Sequence, residues 1–131
     1  MLAVDTNVIV RLLVNDDERQ AAQARRLFAD EQIWVSVTVL LETAWVLESV
    51  YERSAAETIR ALLGVVGLPN VQVEDAAAVA RAFDVARGGV ELADALHLVR
   101  APEAAEFVTF DRRLVKSGRK VRAIRLAQAV R

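Results

Sequence analysis

The sequence has no cysteine and one histidine. The first absence excludes disulfides, thiolate zinc sites and a cysteine nucleophile. The second excludes a multi-histidine metal centre. Any metal must then be held mostly by carboxylates, which suits Mg²⁺ or Mn²⁺ better than zinc. No apolar run approaches the ~18 residues of a membrane span, and charges interrupt every hydrophobic segment. The opening Met1-Leu2-Ala3-Val4-Asp5 has no basic region of the signal-peptide kind. The expectation is a cytoplasmic protein without a membrane partner. No Pro/Gly-rich linker and no repeat divides the chain. Its 131 residues, 54% of them hydrophobic, predict a single domain over 1–131, long enough to bury a core without staples.

Net charge is −1, but it is unevenly placed. Residues 112–131 carry Arg112, Arg113, Lys116, Arg119, Lys120, Arg122, Arg125 and Arg131 and no acid, while all eighteen acidic residues precede them. Such an end reads either as a polyanion-facing edge or as a solvated helix face with a frayed terminus.

Hydrophobic periodicity and turn residues give an order of elements. A buried strand is expected over 2–4, then Asp5-Thr6-Asn7 and a helix over 8–13. Asp17 caps a helix over 18–29. Residues 33–37 alternate as a strand, and Ser36 or Thr38 caps a helix to about Tyr51. Ser54 caps a helix over 55–66. A strand follows over 71–73, and Asp75 caps a helix to Arg87. Residues 92–101 are helical and stop before Pro102. Strands over 106–109 and 121–124 flank a short helical turn over 112–116. This alternation predicts an α/β domain with a parallel sheet, helices on both faces, and ligands bound at the carboxyl ends of the strands.

Two acids follow strands: Asp5 after Leu2-Ala3-Val4, and Asp111 after Phe107-Val108-Thr109-Phe110. Two more, Glu42 and Asp94, sit in apolar helical surroundings. A buried, unpaired carboxylate costs several kcal/mol, roughly, so each needs a cation, a donor or water. If Asp5, Glu42, Asp94 and Asp111 converge, their mutual repulsion calls for a divalent cation. Such a cluster suits activation of water and in-line attack on a phosphodiester. Singly, each acid reads equally well as a cap, a turn residue or a polar-face residue.

The motifs Ala3-Val4-Asp5-Thr6-Asn7-Val8, Leu41-Glu42, Leu92-Ala93-Asp94-Ala95-Leu96-His97 and Val108-Thr109-Phe110-Asp111-Arg112 resemble, in order, those of PIN-domain ribonucleases. At this length the chain is most similar to the VapC toxins of VapBC toxin–antitoxin pairs. The resemblance implies a PIN-like fold with a five-stranded parallel sheet and a Mg²⁺- or Mn²⁺-dependent endoribonuclease. Asp5, Glu42, Asp94 and Asp111 take the catalytic and metal-binding positions, with Asp5 and Asp94 as inner ligands. Thr6, Asn7 and Thr109 take supporting hydrogen-bonding ones. It also implies an RNA substrate, a VapB-like antitoxin that occludes the pocket, and a homodimer. Ala101-Pro102-Glu103 departs from the family, where a more glycine-rich connection is common.

His97 shares a helix face with Asp94 and is expected to pack under the site or bond a neighbour. Trp34 and Trp45 are expected in core or dimer packing rather than stacked on bases. The apolar surplus points to a patch for a partner chain. Arg11 is expected near the substrate path. The alternative functions are a non-catalytic PIN-like module that binds RNA or protein, and a phosphoacceptor or phosphatase domain. The last lacks an acid at Asn7 and a well-placed lysine, since Lys116 and Lys120 follow the wrong element.

Overall fold

A computed structural model describes residues 1–127; Arg131 lies outside the described residues. The chain divides into two compact units, residues 1–79 and 80–131. Among the described residues there are seven helices and five strands.

The first unit holds β1 (Leu2–Ala3), α1 (Thr6–Leu13), α2 (Glu18–Asp30), β2 (Ile33–Val35), α3 (Val37–Ser49), α4 (Ala55–Val66) and β3 (Val71–Val73). The strands form one parallel sheet in the order β1-β2-β3, with Leu2 beside Ile33 and Ile33 beside Val71. Parallel neighbours need a crossover, and each crossover here is a helix pair: α1 and α2, then α3 and α4. Caps decide where these helices start. Asp17 accepts from Gln20 N at 3.0 Å. Ser36 accepts from Val39 N at 3.1 Å. Ser54 and Glu57 form a reciprocal capping box, which satisfies two backbone N–H groups at the start of α4.

Each helix buries one stripe. In α2 it is Ala21, Ala24 and Phe28; in α3 it is Val37, Leu40, Ala44 and Leu47. Together with Ile9, Ile33, Val35 and Leu62, these form the core of the unit. A second cluster joins Val10 and Val14 to Leu47, with Tyr51 and Ala61 packed on it.

α5 (Ala76–Arg87) follows, with Asp75 before it in a left-handed conformation. The second unit continues with α6 (Leu92–Arg100), β4 (Phe107–Thr109), α7 (Arg112–Gly118) and β5 (Ile124–Leu126). β4 and β5 pair in parallel, Phe107 beside Ile124. The buried residues include Phe83, Val90, Leu92, Leu96, Leu98, Leu114, Val115 and Ile124. Gly118 lets α7 pack closely: a Cβ there would lie 3.1 Å from Leu98 Cδ1 and 3.3 Å from Ile124 Cδ1.

Within each sheet the paired strands are parallel, as expected, but the five form a three-stranded and a two-stranded sheet rather than one sheet of five. Strand pattern specifies a period and not a partner, and strands of two or three residues contribute few ladder bonds. β1 is exposed at both residues, not buried. Among the described residues it pairs with β2 alone. β2 ends at Val35, short of residue 37, because Ser36 caps α3. β5 begins at Ile124 rather than Val121, because the amides of Val121 and Arg122 turn back onto Gly118 O. α1 starts at Thr6, since Asp5 is its cap.

Candidate metal centre

The four acids fall into two pairs, one in each unit. Asp5 stands at the carboxyl end of β1 and is the N-cap of α1. Its Oδ1 accepts from Thr6 N at 2.7 Å. The Thr6 hydroxyl, on a buried residue, donates to Glu42 Oε1 of α3. One threonine therefore ties both acids of the pair, by its amide to Asp5 and by its hydroxyl to Glu42. Asp5, Thr6, Asn7 and Glu42 line a cavity of about 290 Å³, together with Arg11 and Tyr51.

Arg11 is engaged within this wall. It donates to Gln20 Oε1 at 2.6 Å, to Asp16 Oδ1 at 3.1 Å and to the Tyr51 hydroxyl at 3.3 Å. The Tyr51 hydroxyl in turn donates to Asp16 Oδ2 at 2.7 Å. The Tyr51 hydrogen bond, reinforced by the charge of Asp16, raises the guanidinium further above its ordinary value. Arg11 stays charged throughout the accessible pH range.

In the second unit Asp111 stands just beyond β4 and caps α7. Its Oδ1 accepts from Arg113 N at 2.9 Å and Leu114 N at 3.1 Å. Thr109 Oγ1 accepts from Asp111 N at 3.0 Å and so fixes the turn that carries the acid. Asp94, half-buried in the first turn of α6, shares a cavity of about 550 Å³ with Asp111, Glu91, Arg113, Lys116, Ser117 and Lys120.

Asp5, Glu42 and Asp111 are exposed and Asp94 is half-buried. Access to water compensates these charges. Within either unit, among the described residues, no three Asp, Glu or His side chains gather as a metal-holding group. The donor set still fits a hard divalent cation, since each cavity presents two or more carboxylates, with no sulfur ligand.

Two expectations are narrowed. His97 is exposed, so it does not pack under the site. Trp45 is 64% exposed and is not a core residue. It lies one position off the Ala44 stripe of α3. Trp34 is half-buried on β2. The basic end also resolves into distinct roles. Arg122 donates to the carbonyls of Leu98 (2.8 Å), Ala101 (3.0 Å), Pro102 (2.6 Å) and Ala105. Arg125 pairs with Glu106 at 2.7 Å. These two arginines hold the fold together, whereas Arg113, Lys116 and Lys120 face a cavity. No local pattern signals the Tyr51–Asp16 link, whose partners are 35 residues apart. Helical spacing of 113, 116 and 120 was the available signal for the cavity cations.

A family model for the PIN domain matches residues 2–120, a span that includes all four acids. No curated protein matches the chain.

Proposed function

The chain belongs to the PIN-domain family, whose members are generally metal-dependent nucleases, and from that premise we propose that it is a Mg²⁺- or Mn²⁺-dependent endoribonuclease. In this reading residues 1–131 act as one domain, and Asp5, Glu42, Asp94 and Asp111 form its catalytic and metal-binding set. The observation that carries the reading is the recurrence of one arrangement in both units. Each has a strand-end aspartate whose Oδ1 is fixed as a helix cap, beside a second carboxylate on the same cavity wall. The family match covers the residues of both pairs.

A bound divalent cation would neutralise the carboxylates, clamp the phosphodiester and lower the pKa of the attacking water. The chain's own groups do the orienting. Thr6 fixes Asp5 through its amide and Glu42 through its hydroxyl. The cap bonds on Asp111 restrain its carboxylate, so less side-chain entropy is lost on binding. Thr109 sets the turn beneath it, and Asn7 offers an amide to substrate or water.

We assign the finer role from the same resemblance: a VapC-type toxin, cytoplasmic and homodimeric, restrained by a VapB-like antitoxin. The test is RNA cleavage by the purified protein with Mg²⁺, Mn²⁺ or excess EDTA, beside Asp5→Asn and Asp94→Asn. Asparagine caps helices about as well as aspartate, so Asp5→Asn removes the charge and keeps α1. Cleavage should require metal and vanish in either variant. Undiminished cutting in excess EDTA, or by the double variant, would contradict the assignment. Growth arrest by the wild type and not by the variants tests the toxin role. RNA binding without cleavage under any metal would favour a binding module.

A further inference from the structure

α7 and the residues after it sort their charges by face. Arg113, Lys116 and Ser117 follow the spacing i, i+3, i+4, which places them along one stripe of α7, and Lys120 stands two residues past its end. All four line the cavity that holds Asp94 and Asp111. Arg112 and Arg119 are exposed and are not among its lining residues. Leu114, Val115 and Gly118 are buried. Lys116 and Lys120 are the only lysines in the sequence. Both are exposed, and among the described residues no ion pair joins either to an acid.

The stripe does not stop at this cavity. Val90, Ser117 and Lys120 also line a second cavity of about 420 Å³, whose wall includes Arg81 of α5. The two cavities thus share a wall. Arg113 and Lys116 line the first cavity, Arg81 the second, and Lys120 both. Asp84 also lines the second cavity, where Arg87 pairs with it at 3.6 Å; the other charges, carboxylates in the first cavity and cations across both, match a polyanion whose reacting phosphate lies at the acids. An acidic protein segment would match the cations as well, but it brings to Asp94 and Asp111 no phosphodiester for the proposed nuclease to cleave.

We propose that this stripe is the phosphate track for single-stranded RNA flanking the scissile bond, with Lys116 and Lys120 as its main phosphate contacts and Arg113 and Arg81 at its two ends. The proposal rests on the nuclease reading for the identity of the acid end.

The test measures binding of a labelled single-stranded RNA 12-mer by fluorescence anisotropy in EDTA, across a salt series. Three proteins are compared: wild type, Lys116→Gln/Lys120→Gln, and Arg112→Gln/Arg119→Gln. The last loses the same charge from the same segment, outside the cavity. Each phosphate contact to a single strand contributes about 0.7 to the slope of log affinity against log salt. Losing two contacts should flatten the slope by about 1.4 and weaken binding about 20-fold near 0.1 M salt. The arginine pair should keep the wild-type slope. Circular dichroism checks that each variant is folded.

Equal losses in both pairs would reduce the effect to bulk charge and overturn the proposal. So would an unchanged slope in the lysine pair, or a wild type that binds an acidic peptide but no RNA. The two readings fail separately. A wild type that cleaves RNA while the lysine pair keeps its slope sinks the track alone. Loss of slope in a protein that never cleaves sinks the nuclease alone.

Discussion

Arg122 offers the sharpest test of how the second unit is held. Its guanidinium donates to four carbonyls: Leu98 in the last turn of α6, and Ala101, Pro102 and Ala105 in the connection to β4. The last carbonyls of a helix have no partner within the helix, and here one arginine serves them and the loop beyond. Replacing it with methionine keeps much of the stem and removes every donor. Hydrogen bonds to a charged group contribute roughly 1.5–3 kcal/mol each, but they are not additive. The exposed carbonyls regain water, and the half-buried ones do not. Among the described residues Arg122 Nε is itself buried without a partner, which offsets part of the gain. The net loss should be about 2–4 kcal/mol. For a chain of this size that lowers Tm by roughly 8–16 °C. Urea unfolding, with the slope checked for two-state behaviour, measures it directly. Arg122→Lys should recover less than half of the loss, because an ammonium cannot span four acceptors in a planar fork. If Arg122→Met lies within about 0.5 kcal/mol of wild type, the range of a neutral surface change, the clamp is not a stabilising element and the reasoning is wrong.

Three further outcomes are expected. Thr58 is buried with its hydroxyl unpartnered, so Thr58→Val should raise stability by about 1 kcal/mol; a loss in chemical denaturation would point to an unseen partner. Asn70 donates to Phe28 O and Glu31 O at 2.7 Å each, tying the end of α2 to the start of β3. Asn70→Ala should cost about 1–3 kcal/mol, and an unchanged melting curve would count against that tie. The hydrogen bonds from Ser54 hold the Glu57 carboxyl below its usual range. The unfolded chain then binds the proton more readily, so this contribution is complete above the ordinary glutamate pKa and fades as pH falls through the lowered one. Glu57→Gln should flatten the stability profile in that acidic window, and an unaltered profile would remove the capping box from the account.

Local chemistry made much of the fold legible. α4 and β3 fall where their patterns put them, because Ser54 with Glu57 opens one and Val71-Gln72-Val73 alternates cleanly in the other. Errors arose where two local signals competed. At Ser36 an alternating apolar run meets a capping side chain, and the cap wins, so β2 is shorter than its pattern. At 121–124 the apolar residues suggest a strand, but the turn onto Gly118 consumes the first two amides. Trp45 lies outside the core, one of its two expected settings, because composition reports that α3 is apolar and not which stripe of it is covered. At the candidate site, the strand-end acids were legible from position and turn chemistry. Thr6 bridging Asp5 to Glu42 was not, because the partners are 36 residues apart. The pairing of strands into sheets was equally invisible, since nothing in a three-residue strand names its neighbour.

The scarcity of lysine has a practical side. Amine-reactive dyes, crosslinkers and sensor-surface coupling act on lysine ammonium groups and on the amino terminus. Here both lysines line one cavity wall. Such chemistry would label or anchor the protein by that wall and obstruct the approach to Asp94 and Asp111. A coupled sample could thus seem inert while perfectly folded. Tethering the nucleic acid instead, and leaving the protein free, avoids the artefact. Protection of these two amines from acylation then becomes a direct footprint of whatever fills the cavity.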